Sequence, residues 1–196
     1  MSRLPRLKIQ NLNDEQRTFV KSLTDGKRAK NKSISTFTFS DGSLKGPFNA
    51  WLYSTKSGER AQKLGEHLRF DSAIPGILRE VAILSVAAHW KSQYEWWAHE
   101  QIALKEGLSP YIIRQLKEEK IPQTTDGAIV AVARFVWEAL DKKQVSDDVY
   151  STVLEHLGER GVVDLTILIG YYCLVSASLN IFKVPIPDGE VVSFNH

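Results

Sequence analysis

Thiols are nearly absent from this chain. Its 196 residues include one cysteine, Cys173, so no intramolecular disulfide can form. That usage suits a reducing, cytoplasmic setting. Cys173 sits mid-run in an apolar helix and reads as buried and inert. A charge excess is also missing. Twenty-five Lys and Arg stand against 23 Asp and Glu, a net charge of +2. No strong field for nucleic acid or a membrane surface is expected from such a balance. One short basic run, Lys27, Arg28, Lys30 and Lys32, has no interleaved aromatic residues and reads as a solvated loop. Met1-Ser2-Arg3-Leu4-Pro5 has no apolar core of a signal peptide, so none is expected. No apolar run reaches about 18 residues without a polar interruption, so no membrane span is expected. Glycine-rich phosphate loops, nucleophile elbows and zinc motifs are absent as well.

What remains is a helical chain. Hydrophobic residues make up 43% of it and five are Trp, enough for a core without metal or disulfide support. Asn13 and Gln16 have capping-box spacing, predicting a first helix from Asn13 to about Leu23. Ser33 to Lys45 reads as an extended arm, because no second convincing strand exists to pair with it. From Pro47 onward the pattern is helical. Helices are predicted over Ser57–Leu68, Ile77–Ala88 and Gln93–Gly107, with a break or kink at Trp90–Ser92. Others follow from Ser109-Pro110 to Glu119, from Asp126, from Ser146 to Gly158, and from Val162 to Phe182. The expected organisation is an N-terminal helix and arm over 1–43, a helical domain over 44–187 and a tail over 188–196. The fold class is all-α, with about seven helices.

The chemistry concentrates in Glu80 to Gly107. Glu95 and His99 are four residues apart, one helical turn on one face. Glu80 enters the otherwise apolar Val81-Ala82-Ile83-Leu84. On one uninterrupted helix Glu80, Glu95 and His99 would share an arc of about 100°. Two carboxylates and an imidazole so placed make an acid–base set. The alternatives are structural: a surface Glu95–His99 pair, and a Glu80 that pairs with Arg79 or Arg114. A weak internal repeat aligns Glu80–Leu84 with Asp164–Leu168, eighty-four residues on, and Lys183 falls where the second histidine would be. His89 has no companion at metal-ligand spacing, so no metal is expected. Trp90, Trp96 and Trp97 read first as core or subunit packing, and second as pocket wall.

These residues carry a family resemblance. Leu78-Arg79-Glu80-Val81-Ala82-Ile83-Leu84, Tyr94-Glu95-Trp96-Trp97-Ala98-His99, Ala103 and Gly107-Leu108-Ser109 resemble the carboxymuconolactone decarboxylase family, which shares its helical fold with the AhpD alkylhydroperoxidases. Gly46 to Leu52, Gly65 to Phe70, Leu157 to Leu165 and Ile169 to Tyr172 resemble its flanking segments, extending the likeness over Leu44 to Pro187. The resemblance implies an AhpD-like domain, a functional His99, a relay role for Glu80 and a homo-oligomer, trimer or hexamer. AhpD-type peroxidases carry a Cys-x-x-Cys pair whose second member precedes the histidine by four residues. Here those positions hold Ser92 and Glu95. The implied activity is therefore a cofactor-free lyase acting on a small carboxylated, lactone-type substrate. His99 would be the acid, Glu95 its orienting partner, and Arg79 or Arg69 the holder of the substrate carboxylate, with Trp96 at the substrate. The alternatives are an AhpD-like peroxidase, disfavoured by the missing cysteines, and a non-catalytic helical oligomeric binding protein.

Overall fold

Eight α-helices, and no strand, form among the residues described by a computed structural model, which are 2–27, 30 and 37–194. The all-α expectation holds. Arg28 and Lys32 of the basic run, residues 33–36 of the arm, and His196 lie outside the described residues.

The chain divides into two compact units. One comprises Met1–Asp71 with Ser178–Pro185. Its first helix, α1 (Asp14–Thr24), starts as the sequence predicts. The Asn13 side chain accepts from Gln16 N–H, and the Gln16 side chain accepts from Asn13 N–H. Phe19, Val20 and Leu23 form the buried face of α1. The short α2 (Phe48–Trp51) follows Pro47. Next comes α3 (Thr55–Phe70), which begins two residues earlier than Ser57. Gly58 permits a close helix contact: a Cβ there would lie 2.7 Å from Trp51 Cβ and 2.9 Å from the Trp51 carbonyl oxygen. In 37–45 the chain makes a tight turn at Gly42 (φ 79°), where Ser43 N–H and Oγ–H both donate to Asp41. Isolated bridges join Lys8 to Ser43 and Thr38 to Leu44, so this part of the arm is extended.

The second unit comprises Ser72–Ala177 with Ile186–His196. At its centre is α4 (Gly76–His89), which packs against α5 (Gln93–Lys105), α6 (Pro110–Lys117) and α7 (Gly127–Asp141). Val81 to Leu84 and Val86 to Ala88 are fully buried, which explains the near-continuous apolar sequence of α4. The Ser109 hydroxyl accepts from Ile112 N–H at the start of α6, with Pro110 in the first turn. The Asp126 carboxylate accepts from Ala128 and Ile129 N–H at the start of α7. The last helix, α8 (Asp147–Ile181), is broken at Gly158 (φ 67°), so it comprises two helical segments, as the sequence predicts. By length and composition α8 is the one helix among the described residues that could cross a membrane. Yet 56% of its most apolar stretch is buried within the protein, as in a core helix.

Between α4 and α5 the prediction of a break is met and sharpened. Trp90 and Lys91 leave the helix, Lys91 adopts φ 48°, and the chain reverses into α5. Glu80 and His99 therefore meet across a helix hairpin, and not along one helix.

Candidate active site

The α4–α5 hairpin brings Glu80 and His99 together in the core. His99 Nδ1 lies 2.6 Å from Glu80 Oε2. His99 Nε2 lies 3.1 Å from Glu95 Oε1, across the predicted single turn of α5. The imidazole is thus held at both nitrogens by carboxylates. All three residues are buried: 0% of Glu80, 5% of Glu95 and 4% of His99 is exposed. A surface Glu95–His99 pair is excluded by that burial.

Two opposing effects fix the charge of His99. Burial alone disfavours the imidazolium. The facing carboxylates of Glu80 and then Glu95 outweigh it and raise the pKa from 6.5 to about 9. At neutral pH the ring is an imidazolium that donates Nδ1–H to Glu80 and Nε2–H to Glu95. With one positive ring between two carboxylates, the group still carries net negative charge. Arg79 offsets it: its Nε is 3.5 Å from Glu80 Oε1, and its terminal nitrogen is 4.0 Å from Glu106 Oε1. A row of alternating charge results, running Glu106, Arg79, Glu80, His99, Glu95. Tyr172 closes one side, since its ring packs edge-to-face on His99 with centroids 5.3 Å apart.

The remaining sequence candidates are placed differently. Trp96 is fully buried and packs edge-on against Phe194, so it is core in this conformation. Arg69 belongs to α3 in the first unit, with its guanidinium over Phe70. Arg114 lies over the ring of Tyr111. His89 pairs with Glu119, which Lys91 also contacts. In the repeat, Asp164 does not face an imidazole; it accepts from Ala73 N–H and faces Arg160. Cys173 is half-buried rather than fully buried, and burial raises its thiol pKa above the usual value. Tyr172 was not singled out by the sequence: a Tyr-Tyr pair in an apolar helix reads as packing.

No family model and no curated protein matches the chain. Solved structures do. A peroxidase-related, uncharacterised protein from Ralstonia eutropha JMP134 with an alkylhydroperoxidase AhpD core superposes with a TM-score of 0.73 at 15% identity, over 95% of this chain and 93% of that one. The fold is AhpD-like. An uncharacterised peroxidase-related protein from Silicibacter sp. TM1040 shares the AhpD-like fold at TM-score 0.70 and 12% identity, covering 95% and 92% of the two chains. A protein of unknown function from Agrobacterium tumefaciens, likened to the antioxidant defence protein AhpD, gives 0.62 at 14% identity, over 73% of this chain and 99% of that one. At such identities the likeness establishes the AhpD-like fold and leaves the chemistry to the side chains.

Proposed function

We propose that this AhpD-like protein is a cofactor-free carboxy-lyase acting on a small carboxylated unsaturated lactone. The observation that supports it is the buried imidazole of His99 clamped between Glu80 and Glu95, at a place where the AhpD-like peroxidase pattern has thiols. A lyase of this kind needs a proton held ready at neutral pH, which a raised imidazole pKa provides.

In the reaction, the bond between the ring carbon and the carboxylate breaks. Carbon dioxide leaves, and the electron pair enters the ring as a dienolate. A proton then bonds to carbon and gives the neutral lactone. His99 stores that proton. Glu95, whose side chain is 7% exposed against 0% for Glu80, is the outer carboxylate and passes the proton from Nε2 to the substrate. Glu80, 2.6 Å from Nδ1, accepts from the ring and orients it. In this reading Arg79, 15% exposed and shared between Glu80 and Glu106, attracts the substrate carboxylate. Solvent restores the proton after product leaves.

A peroxidase reading is favoured by the description of two structural neighbours as peroxidase-related. It lacks a nucleophile here: Ser92 and Glu95 replace the pair, and the Cys173 thiol is driven toward its neutral form. The two readings separate in one experiment. Purified protein is assayed for carbon dioxide release from butenolide acids without added metal or thiol, and in parallel for thiol-dependent peroxide consumption. The lyase reading expects the first activity. Peroxide consumption without carbon dioxide release would replace it.

A further inference from the structure

The α5 helix carries two buried donors that the acid–base set does not use. The Ser92 hydroxyl is 0% exposed and has no hydrogen-bond partner among the described residues, although Ser92 occupies the N-cap position of α5, where a serine ordinarily accepts from the first turn. The Trp96 indole Nε1–H is likewise buried and unpartnered among the described residues, in a residue that is 0% exposed. Leaving either group orphaned is costly, so such atoms in a native protein call for an explanation.

Their spacing supplies one. At about 100° per residue, Glu95, Trp96 and His99 fall within an arc of about 100° on α5, and Ser92, extended at the N-cap, accepts at its carbonyl from Trp96 N–H. Trp96 therefore shares the face of the two proton-handling groups, and Ser92 stands at the N-terminal end of that face. Ser92 also stands at the start of a thirteen-residue helix, whose first N–H groups and dipole favour negative charge. Lys117 Nζ lies 5.9 Å from the centroid of the Trp96 ring and adds a positive charge. Glu95 and, across the hairpin, Glu80 are the carboxylates beside this face; His99 lies between them and Arg79 faces Glu80.

We propose that Ser92 Oγ–H and Trp96 Nε1–H form the oxyanion site of the enzyme, donating to the enolate oxygen of the lactone while carbon is reprotonated from the Glu95–His99 side. The site takes a planar lactone enolate, with donors on its oxygen and the acid facing its carbon. This assignment rests on the lyase reading for its role, but the donors and their spacing stand without it. An indole N–H can only donate, so the Trp96 position accepts an oxygen and rejects an N–H group of a ligand. Both donors are buried, so a ligand reaches them by displacing a neighbour. Phe194, stacked edge-on against Trp96, is the side chain to move.

The test uses tetronic acid, a lactone that is an enolate at neutral pH. It is titrated into the full chain while the five indole N–H resonances are followed by NMR, with Trp96→Phe assigning the Trp96 signal. Tetronate should shift that resonance downfield. Ser92→Ala and Trp96→Phe should each weaken binding by roughly tenfold to a hundredfold, the usual loss for one hydrogen bond to a charged acceptor. Ser92→Ala removes one polar atom and little volume, whereas Trp96→Phe also leaves a small cavity in the core, so thermal melts control for folding and Ser92→Ala is the cleaner variant. An unmoved Trp96 resonance, or unchanged affinity in both variants, would overturn the proposal, as would an absence of tetronate binding by the wild-type chain. Failure of the lyase reading looks different: tetronate binds with the stated dependence, yet no butenolide acid loses carbon dioxide.

Discussion

Replacing Glu80 by Gln removes the nearer of the two carboxylates from a buried imidazole and leaves the volume almost unchanged. Burial then opposes charge on His99 with only Glu95 to counter it, so the pKa falls from about 9 toward or below 6.5 and the ring becomes neutral near pH 7. The direction of the stability effect follows from proton binding. In the wild type the folded protein holds the His99 proton between pH 6.5 and about 9 while the unfolded chain has released it. The contribution is fully present below 6.5 and is lost as pH rises through about 9. A displacement of that size corresponds to on the order of 3 kcal/mol. The Glu80→Gln change would also leave Arg79 Nε without its carboxylate, 3.5 Å away in the wild type, so a total loss of about 3–5 kcal/mol is expected at pH 6, typical of breaking a buried ion pair. The assay is urea unfolding of both proteins from pH 5.5 to 9.5, alongside NMR titration of the His99 ring. Wild-type stability should fall steeply above pH 7, and the Glu80→Gln variant should lack most of that slope. A wild-type His99 titrating at or below 6.5, or the same slope in both proteins, would show that Glu80 does not hold the His99 proton.

Cys173→Ser should leave turnover unchanged, and a thiol reagent should label the wild type slowly at pH 7, because burial keeps the thiol protonated; rapid labelling coupled to loss of activity would contradict this. Gly58→Ala, ordinarily favourable in a helix, should destabilise by about 1–3 kcal/mol in denaturant unfolding, since the new Cβ would press on Trp51 at 2.7 Å. Val163, Ile167 and Leu174 are exposed at four- and seven-residue spacing on α8, so light scattering is expected to give a multiple of the 22.1 kDa chain mass rather than a monomer.

Much of this architecture is legible from local signals. Asn13 with Gln16, Ser109 with Pro110, and Asp126 mark helix starts because capping is a property of a few adjacent residues. Gly158 marks the break in α8 for the same reason, since its φ of 67° suits glycine. The α4–α5 reversal is less legible. It turns on Lys91 at φ 48°, a conformation usually announced by Gly or Asn, so periodicity carried Glu80 and His99 along one helix and gave the right grouping by the wrong geometry. The identities of Glu80, Glu95 and His99 survive that difference because the hairpin restores their proximity. Tyr172 and the orphaned Ser92 hydroxyl could not be read ahead, since ring contacts and missing partners exist only once helices are packed. Burial also changes what a simple deletion means. His99→Ala would leave two carboxylates facing each other in the core, so loss of activity in that variant would be mixed with loss of stability, and His99→Gln is the cleaner substitution.

In the proposed lyase, a proton held on His99 by Glu80 drives the chemistry. Its most direct test is the pH dependence of kcat/KM for carbon dioxide release from a butenolide acid, which reports the free enzyme. The wild type should lose activity as pH rises through about 9, and Glu80→Gln should lose it at a pH lower by roughly two units or more. An alkaline limb that is absent, or that stays in place in the Glu80→Gln variant, would contradict the account.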